Sequence, residues 1–190
     1  SRAVCDGWYN NRFPDENGRV FRFLFPEYRE QAVLVGNYAY DAVNKALMLG
    51  VGVETEIWGL RKTTLDACPE LARYIGEVNA LRRRFGDVLI RGTFRDTLGA
   101  RVKGEGGEVL HGVMDGGASG RGVVVRNPAR TKVSVEIRMD SPVGAPLILA
   151  RPGLPDKVIR RSPVRLTLDG YGAAVLLAMP AFSAWGRKGG

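Results

Sequence analysis

Val20-Phe-Arg-Phe-Leu-Phe-Pro-Glu27 and Val51-Gly-Val-Glu-Thr-Glu-Ile-Trp58 are two apolar runs that end among acids and aromatics, with a helical stretch, Gly36 to Gly50, between them. The Phe-rich core of the first run, Phe21 to Phe25, is composed like a strand buried on both faces, and Pro26 would end its hydrogen-bond ladder. Ala39, Val43, Ala46, Leu47 and Leu49 form an apolar stripe at helical spacing that Gly50 closes. The order therefore reads strand, helix, strand. In parallel α/β folds the carboxyl edge of such strands is where active sites collect.

Outward from this unit, Ala3-Val-Cys-Asp6 reads as an earlier strand end, and Asp15-Glu-Asn-Gly18 as a turn. Downstream, Pro69 and Glu70 suit a first helical turn, and Leu71, Tyr74, Ile75, Val78, Leu81 and Phe85 recur at steps of three and four. After Thr97 the helical period stops. Short runs such as Gly122–Arg126, Lys132–Ile137, Pro146–Leu149, Val164–Leu168 and Ala173–Ala178 alternate with turns at Asn127-Pro, Ser141-Pro, Arg151-Pro-Gly and Asp169-Gly. Regularly spaced short strands of this kind predict a small antiparallel β-sandwich. The expected architecture is thus α/β followed by all-β. Residues 1–97 are the last strands and helices of a (β/α)8 barrel, 98–184 the β-sandwich, and 185–190 a flexible tail. The start at Ser1, with a strand already in progress at Ala3, creates the expectation that a preceding portion is missing.

Composition narrows the chemistry. The 190 residues are 45% hydrophobic and contain no apolar run long enough for a membrane span. Cys5 and Cys68 lack metal-ligand spacing, and the single histidine, His111, lies in the apparent strand Val109–Val113 and reads as structural. No metal site and no cofactor are expected. The net charge is +8, and its excess is local: residues 1–97 carry 14 basic and 13 acidic side chains, residues 98–190 carry 14 and 7. The arginines of the second half are scattered singly along strands without interleaved aromatics, which describes a solvated sheet face, so nucleic acid is not an expected partner.

The carboxylates at strand ends are the candidates for catalysis. Asp6 precedes Gly-Trp-Tyr, Glu27 follows Phe25-Pro26, and Glu56 lies beside Trp58. Carboxylates facing one cleft can separate in pKa, so that one donates a proton while another stays ionised, and neighbouring aromatics offer stacking faces for a sugar ring.

Cys5-Asp-Gly-Trp-Tyr9, Phe21-Arg-Phe-Leu-Phe-Pro-Glu27 and the Asn37 of Gly-Asn-Tyr resemble the closing strands of barrel glycoside hydrolases. Leu47-Met-Leu-Gly-Val-Gly-Val-Glu-Thr-Glu-Ile-Trp58 and Leu81-Arg-Arg-Arg-Phe-Gly-Asp-Val-Leu-Ile-Arg-Gly-Thr-Phe-Arg-Asp96 extend the likeness, which is to the α-galactosidase-like group and its uncharacterised relatives. The resemblance implies that Ala3–Asp6, Phe21–Glu27 and Val53–Trp58 are the sixth, seventh and eighth barrel strands. It implies Asp6 as acid/base, while a second barrel group would place a nucleophile at Glu27. Trp8, Tyr9, Arg22, Asn37, Glu56 and Trp58 would bind substrate. The family's usual nucleophile strand has no counterpart here, so the resemblance implies a C-terminal glycosidase fragment, inactive alone, that associates through an open barrel edge. The alternative is a non-catalytic carbohydrate-binding or interaction module. Against it, Tyr171 and Phe182 are the only aromatics of residues 98–184.

Overall fold

Ala173-Ala-Val-Leu-Leu-Ala178 is apolar at every position, whereas Val164-Arg-Leu-Thr-Leu168 alternates. The two patterns require different surroundings, because a strand covered on both faces needs apolar residues throughout and a half-covered one needs them at every second position. A computed structural model of the chain describes residues 15–25, 31–34, 39–55, 69–140 and 146–179, and it supplies both surroundings.

The elements are α1 (Asp15–Leu24), β1 (Gln31–Leu34), α2 (Ala39–Leu49), β2 (Gly52–Thr55), α3 (Pro69–Arg84), α4 (Gly86–Leu89), β3 (Thr93–Phe94), β4 (Ala100–Glu105), β5 (Leu110–Asp115), β6 (Arg121–Arg126), β7 (Val133–Met139), β8 (Leu147–Ala150), β9 (Lys157–Ile159), β10 (Val164–Leu168) and β11 (Ala173–Ala178). Six strands form a central antiparallel sheet in the order β3-β5-β6-β11-β8-β9. Three form a second antiparallel sheet, β10-β7-β4.

The second sheet lies on one face of the first. Val133, Val135, Ile137, Val164, Leu166 and Leu168 point into a shared core with Val123, Val125, Leu147, Leu149 and Leu176. Their sequence neighbours Ser134, Arg138, Arg165 and Thr167 are exposed, which accounts for the alternation. The other face of the central sheet is covered by helices: Val43, Leu47, Leu81, Phe85 and Val88 pack with Met114, Val124, Ile148, Val175 and Leu177. β6 and β11 are therefore sandwiched, and their continuous apolar runs follow.

α2 rests very close to the sheet. A Cβ on Gly112 would come 2.8 Å from the Met48 carbonyl oxygen and 2.9 Å from the Phe94 ring, so only glycine leaves the backbone this room. α2 stops at Gly50, whose φ of +68° is a left-handed conformation that glycine adopts at low cost. The Gly50 N–H donates to the Leu47 carbonyl and the Val51 N–H to that of Ala46, the paired bonds of a Schellman C-cap.

Three expectations are overturned. Asp15–Gly18, expected as a turn, is the first turn of α1. The barrel remnant is not present: among the described residues the only parallel pair is β1 with β2, four residues each, joined through α2, and the remaining strands pair antiparallel in two sheets. One such unit cannot close a barrel, and α2 instead packs on the central antiparallel sheet. The run Phe21–Glu27, expected as the seventh barrel strand, has Phe21 to Phe25 in or directly after α1, and residues 26 and 27 lie outside the described residues. Its aromatics meet at helical spacing, with the Phe21 and Phe25 rings 5.1 Å apart and the Phe25 N–H donating to the Phe21 carbonyl. An i,i+4 aromatic pair satisfies a helix as readily as strand composition satisfies a sheet. The expected strand Val53–Trp58 corresponds in part to β2, and residues 56–58 lie outside the described residues, as does the Ala3–Asp6 strand.

Candidate functional site

Where the ends of α2 and α3 meet the β8–β9 and β10–β11 turns, the surface opens into a cleft of about 450 Å³. Tyr40 and Tyr74 form one wall, Arg151, Pro152 and Leu154 another, and Asp169, Tyr171 and Ala173 the floor. The volume lies within the range of small-ligand sites, roughly 300–1,000 Å³.

Each tyrosine is held by a separate local device. Tyr40 enters from the first turn of α2 and meets Tyr74 of α3 with ring centroids 5.3 Å apart and planes tilted by 50°. The Tyr74 hydroxyl turns inward and donates to Asn44 Oδ1 at 2.6 Å, so its ring stands as an apolar wall. Asn44 is fully buried, and its Nδ2 donates to the Tyr171 carbonyl, also at 2.6 Å. One amide thus joins two walls of the cleft. Burial, supported by the nearby charge of Glu77, pushes the Tyr74 phenol up to about 12 against the lowering effect of the Asn44 hydrogen bond. The phenol is neutral at any working pH.

Tyr171 has a φ of +54°, unusual for a residue with a side chain. Its N–H donates to the Ala129 carbonyl, and the Arg130 guanidinium donates to its hydroxyl at 3.2 Å. Asn127, 1% exposed, anchors the neighbouring loop: its Nδ2 donates to the Thr131 and Asp169 carbonyls, and its Oδ1 accepts from the Ala129 N–H. Beside it, Arg126 pairs with Asp41 of α2, which fastens the first turn of that helix to the end of β6. These bonds tie the β10–β11 turn and the first turn of α2 to the end of β6 and the segment after it.

The charges in the cleft differ in how they are engaged. Asp169 pairs with Lys132 at 3.0 Å, both largely exposed. Arg151, in the β8–β9 turn, makes no ion pair or side-chain hydrogen bond.

Of the residues singled out from sequence, Asp6, Trp8, Tyr9, Glu27, Asn37, Glu56 and Trp58 lie outside the described residues. Arg22 is on α1, 4% exposed, and its Nε donates to the Leu49 carbonyl at 3.0 Å, beside the C-terminus of α2. His111 is on β5. Its Nε2 is buried without a hydrogen-bond partner and its carbonyl accepts from Arg19, which also pairs with Asp96. The tyrosine cleft was missed from sequence because its aromatics come from α2, α3 and a β-turn. A usable signal did exist in Asp169-Gly-Tyr171, a turn that ends on an aromatic. Among the described residues no group of three or more His, Cys, Asp or Glu side chains could hold a metal ion.

No protein-family model matches the sequence, and no curated protein matches it. Among solved structures, the chain has a distant likeness to a glycoside hydrolase, pullulanase type I from Bacillus subtilis str. 168 complexed with maltose. The TM-score is 0.41 at 12% identity, over 85% of this chain and 26% of that one. The α-galactosidase-like relationship receives no support from these comparisons. A likeness this distant carries no argument about the site, and the functional reading below rests on the geometry of the cleft.

Proposed function

We propose that this chain is a non-catalytic carbohydrate-binding module whose ligand docks in the cleft of Tyr40, Tyr74 and Tyr171. The observation that supports this is the convergence of the three rings on one pocket with Arg151 and Asp169 at its margin. A sugar ring presents C–H groups on its faces and hydroxyls at its rim. Tyrosine rings serve the first, and the polar side chains and exposed turn backbone serve the second. Catalysis fits less well, because hydrolysis of a glycosidic bond employs two carboxyl groups flanking the bond. Asp169 is the single carboxylate among the described residues lining the cleft, and it is paired with Lys132.

The test is calorimetric titration against a panel of neutral cello-, xylo-, malto- and galacto-oligosaccharides, repeated with Tyr40→Ala and Tyr171→Asn. Alanine suits the helix position of Tyr40, and asparagine tolerates the positive φ at 171. The expected result is measurable binding to at least one member, weakened about tenfold or more by either substitution, as for loss of a well-packed aromatic anchor. Absence of binding across the panel, or binding that neither substitution changes, would sink this reading.

A further inference from the structure

We propose that the cleft selects saccharides bearing a carboxylate, of the uronic acid class, and that the Arg151 guanidinium is the group that recognises the acid. The proposal rests on the carbohydrate-binding reading above and names its ligand class.

The charged side chains of this protein are in large part spoken for. Arg19 pairs with Asp96, Arg84 with Asp156, Arg91 with Asp87, Arg126 with Asp41 and Arg165 with Glu136. Arg22 and Arg82 donate to the backbone carbonyls of Leu49 and Val51. Arg151 differs in being half-buried in a concave site with its donors unassigned. Arg101 and Lys103 on β4, by contrast, are exposed on the second sheet, where water satisfies them. A guanidinium offers a planar fork of donors that matches a carboxylate in bidentate geometry, and partial enclosure strengthens the pair.

The electrostatics around Arg151 agree. Asp169, the one acid among the described residues lining the cleft, is paired with Lys132. Arg130 adds a further positive charge at the Tyr171 hydroxyl. Glu77 comes near the same turn, since a Cβ on Gly153 would lie 2.6 Å from its Oε2, but its Oε1 is 3.8 Å from the Arg73 guanidinium. The neutral Tyr74 ring opposes no anion. A ligand that placed a sugar face on the tyrosines would bring a ring carboxylate toward the Arg151 side of the pocket. A neutral sugar would leave that guanidinium without a matching acceptor.

The experiment compares a galacturonic acid tetrasaccharide with its methyl ester, two ligands of the same ring and linkage that differ in charge. A glutamate tetrapeptide serves as the acid without the sugar. Wild type, Arg151→Gln and Arg151→Lys are titrated with each, and thermal unfolding confirms that both variants fold. The expected result is about tenfold tighter binding of the acid than of the ester, the size of one charge-assisted contact. Arg151→Gln should abolish the difference by bringing acid binding down to that of the ester, and Arg151→Lys should restore it in part. The glutamate peptide should bind at least tenfold more weakly than the sugar acid. Equal affinity for acid and ester in wild type, or a preference that survives Arg151→Gln, overturns the assignment of Arg151 while leaving saccharide binding intact. Equal binding of the glutamate peptide overturns it as well, by reducing the effect to general charge attraction. Failure of acid, ester and neutral oligosaccharides alike overturns both readings.

Discussion

Replacing Asn44 with alanine should damage the cleft and the fold together, because one buried amide joins α2, α3 and the β10–β11 turn. Asn44 has no solvent exposure and makes two hydrogen bonds of 2.6 Å, accepting from the Tyr74 hydroxyl and donating to the Tyr171 carbonyl. Alanine removes both partners at once. A buried polar group left unsatisfied costs about 1–3 kcal/mol. Tyr74 as a whole is only partly buried, so the share of its hydroxyl lies at the low end. The Tyr171 carbonyl belongs to a residue already at φ +54° and has less freedom to adjust. The sum is about 2–3 kcal/mol, which for a chain of this size lowers the melting temperature by about 5–10 °C. Urea unfolding followed by tyrosine and tryptophan fluorescence measures it directly. The mechanism also specifies coupling: Tyr74→Phe removes one of the same two bonds, so the double variant should fall short of additivity by about 0.5–1 kcal/mol or more. A loss below about 0.5 kcal/mol for Asn44→Ala, the scale of an ordinary surface substitution, or strict additivity with Tyr74→Phe, would refute the reasoning.

Two further predictions follow from other parts of the structure. Burial, reinforced by the Arg19 guanidinium and partly offset by Asp96, holds the His111 imidazole below its ordinary value of 6.5. The unfolded chain therefore takes up a proton more readily than the folded one, so stability is full above about pH 6.5 and falls as the pH drops from there toward the folded-state value. Since His111 is the one histidine of the chain, His111→Leu should flatten the change in urea midpoint between pH 7 and pH 5, and an unchanged slope would count against this origin. Gly112→Val should cost about 1–3 kcal/mol or more, the range for overpacking a filled core, because its first new atom would meet the Met48 carbonyl and the Phe94 ring. Unfolding at or above the wild-type midpoint would show that α2 can move off the sheet.

The sandwich strands could be recognised in the sequence because their burial is periodic. Val133–Met139 and Val164–Leu168 alternate strictly between core and solvent, and Ala173–Ala178 carries the unbroken apolar run of a strand covered on both faces. The helix Pro69–Arg84 announces itself through Pro69 at its start and its apolar spacing, and Gly50 marks the stop of α2. These are local properties. A strand alternates because water lies on one side of it, whatever its neighbours are.

The rest depends on which surfaces meet. Phe21 to Phe25 has the composition of a buried strand, yet Phe21 and Phe25 also stand one helical turn apart, and composition alone does not choose between the two periods. The sequence of α2 suits packing against either a parallel or an antiparallel sheet. The close approach at Gly112 and the apolar face of Val124, Val175 and Leu177 place it on the latter. The cleft is a tertiary product altogether. Tyr40, Tyr74 and Tyr171 are remote in sequence, and each alone reads as an ordinary helix or turn residue. They become one site because Asn44 hydrogen-bonds to two of the elements that carry them, and because Arg126 and Asn127 fix the neighbouring loop. Side-chain periodicity is written into the chain one residue at a time, whereas a binding surface exists only where long-range packing brings distant side chains within reach of the same ligand.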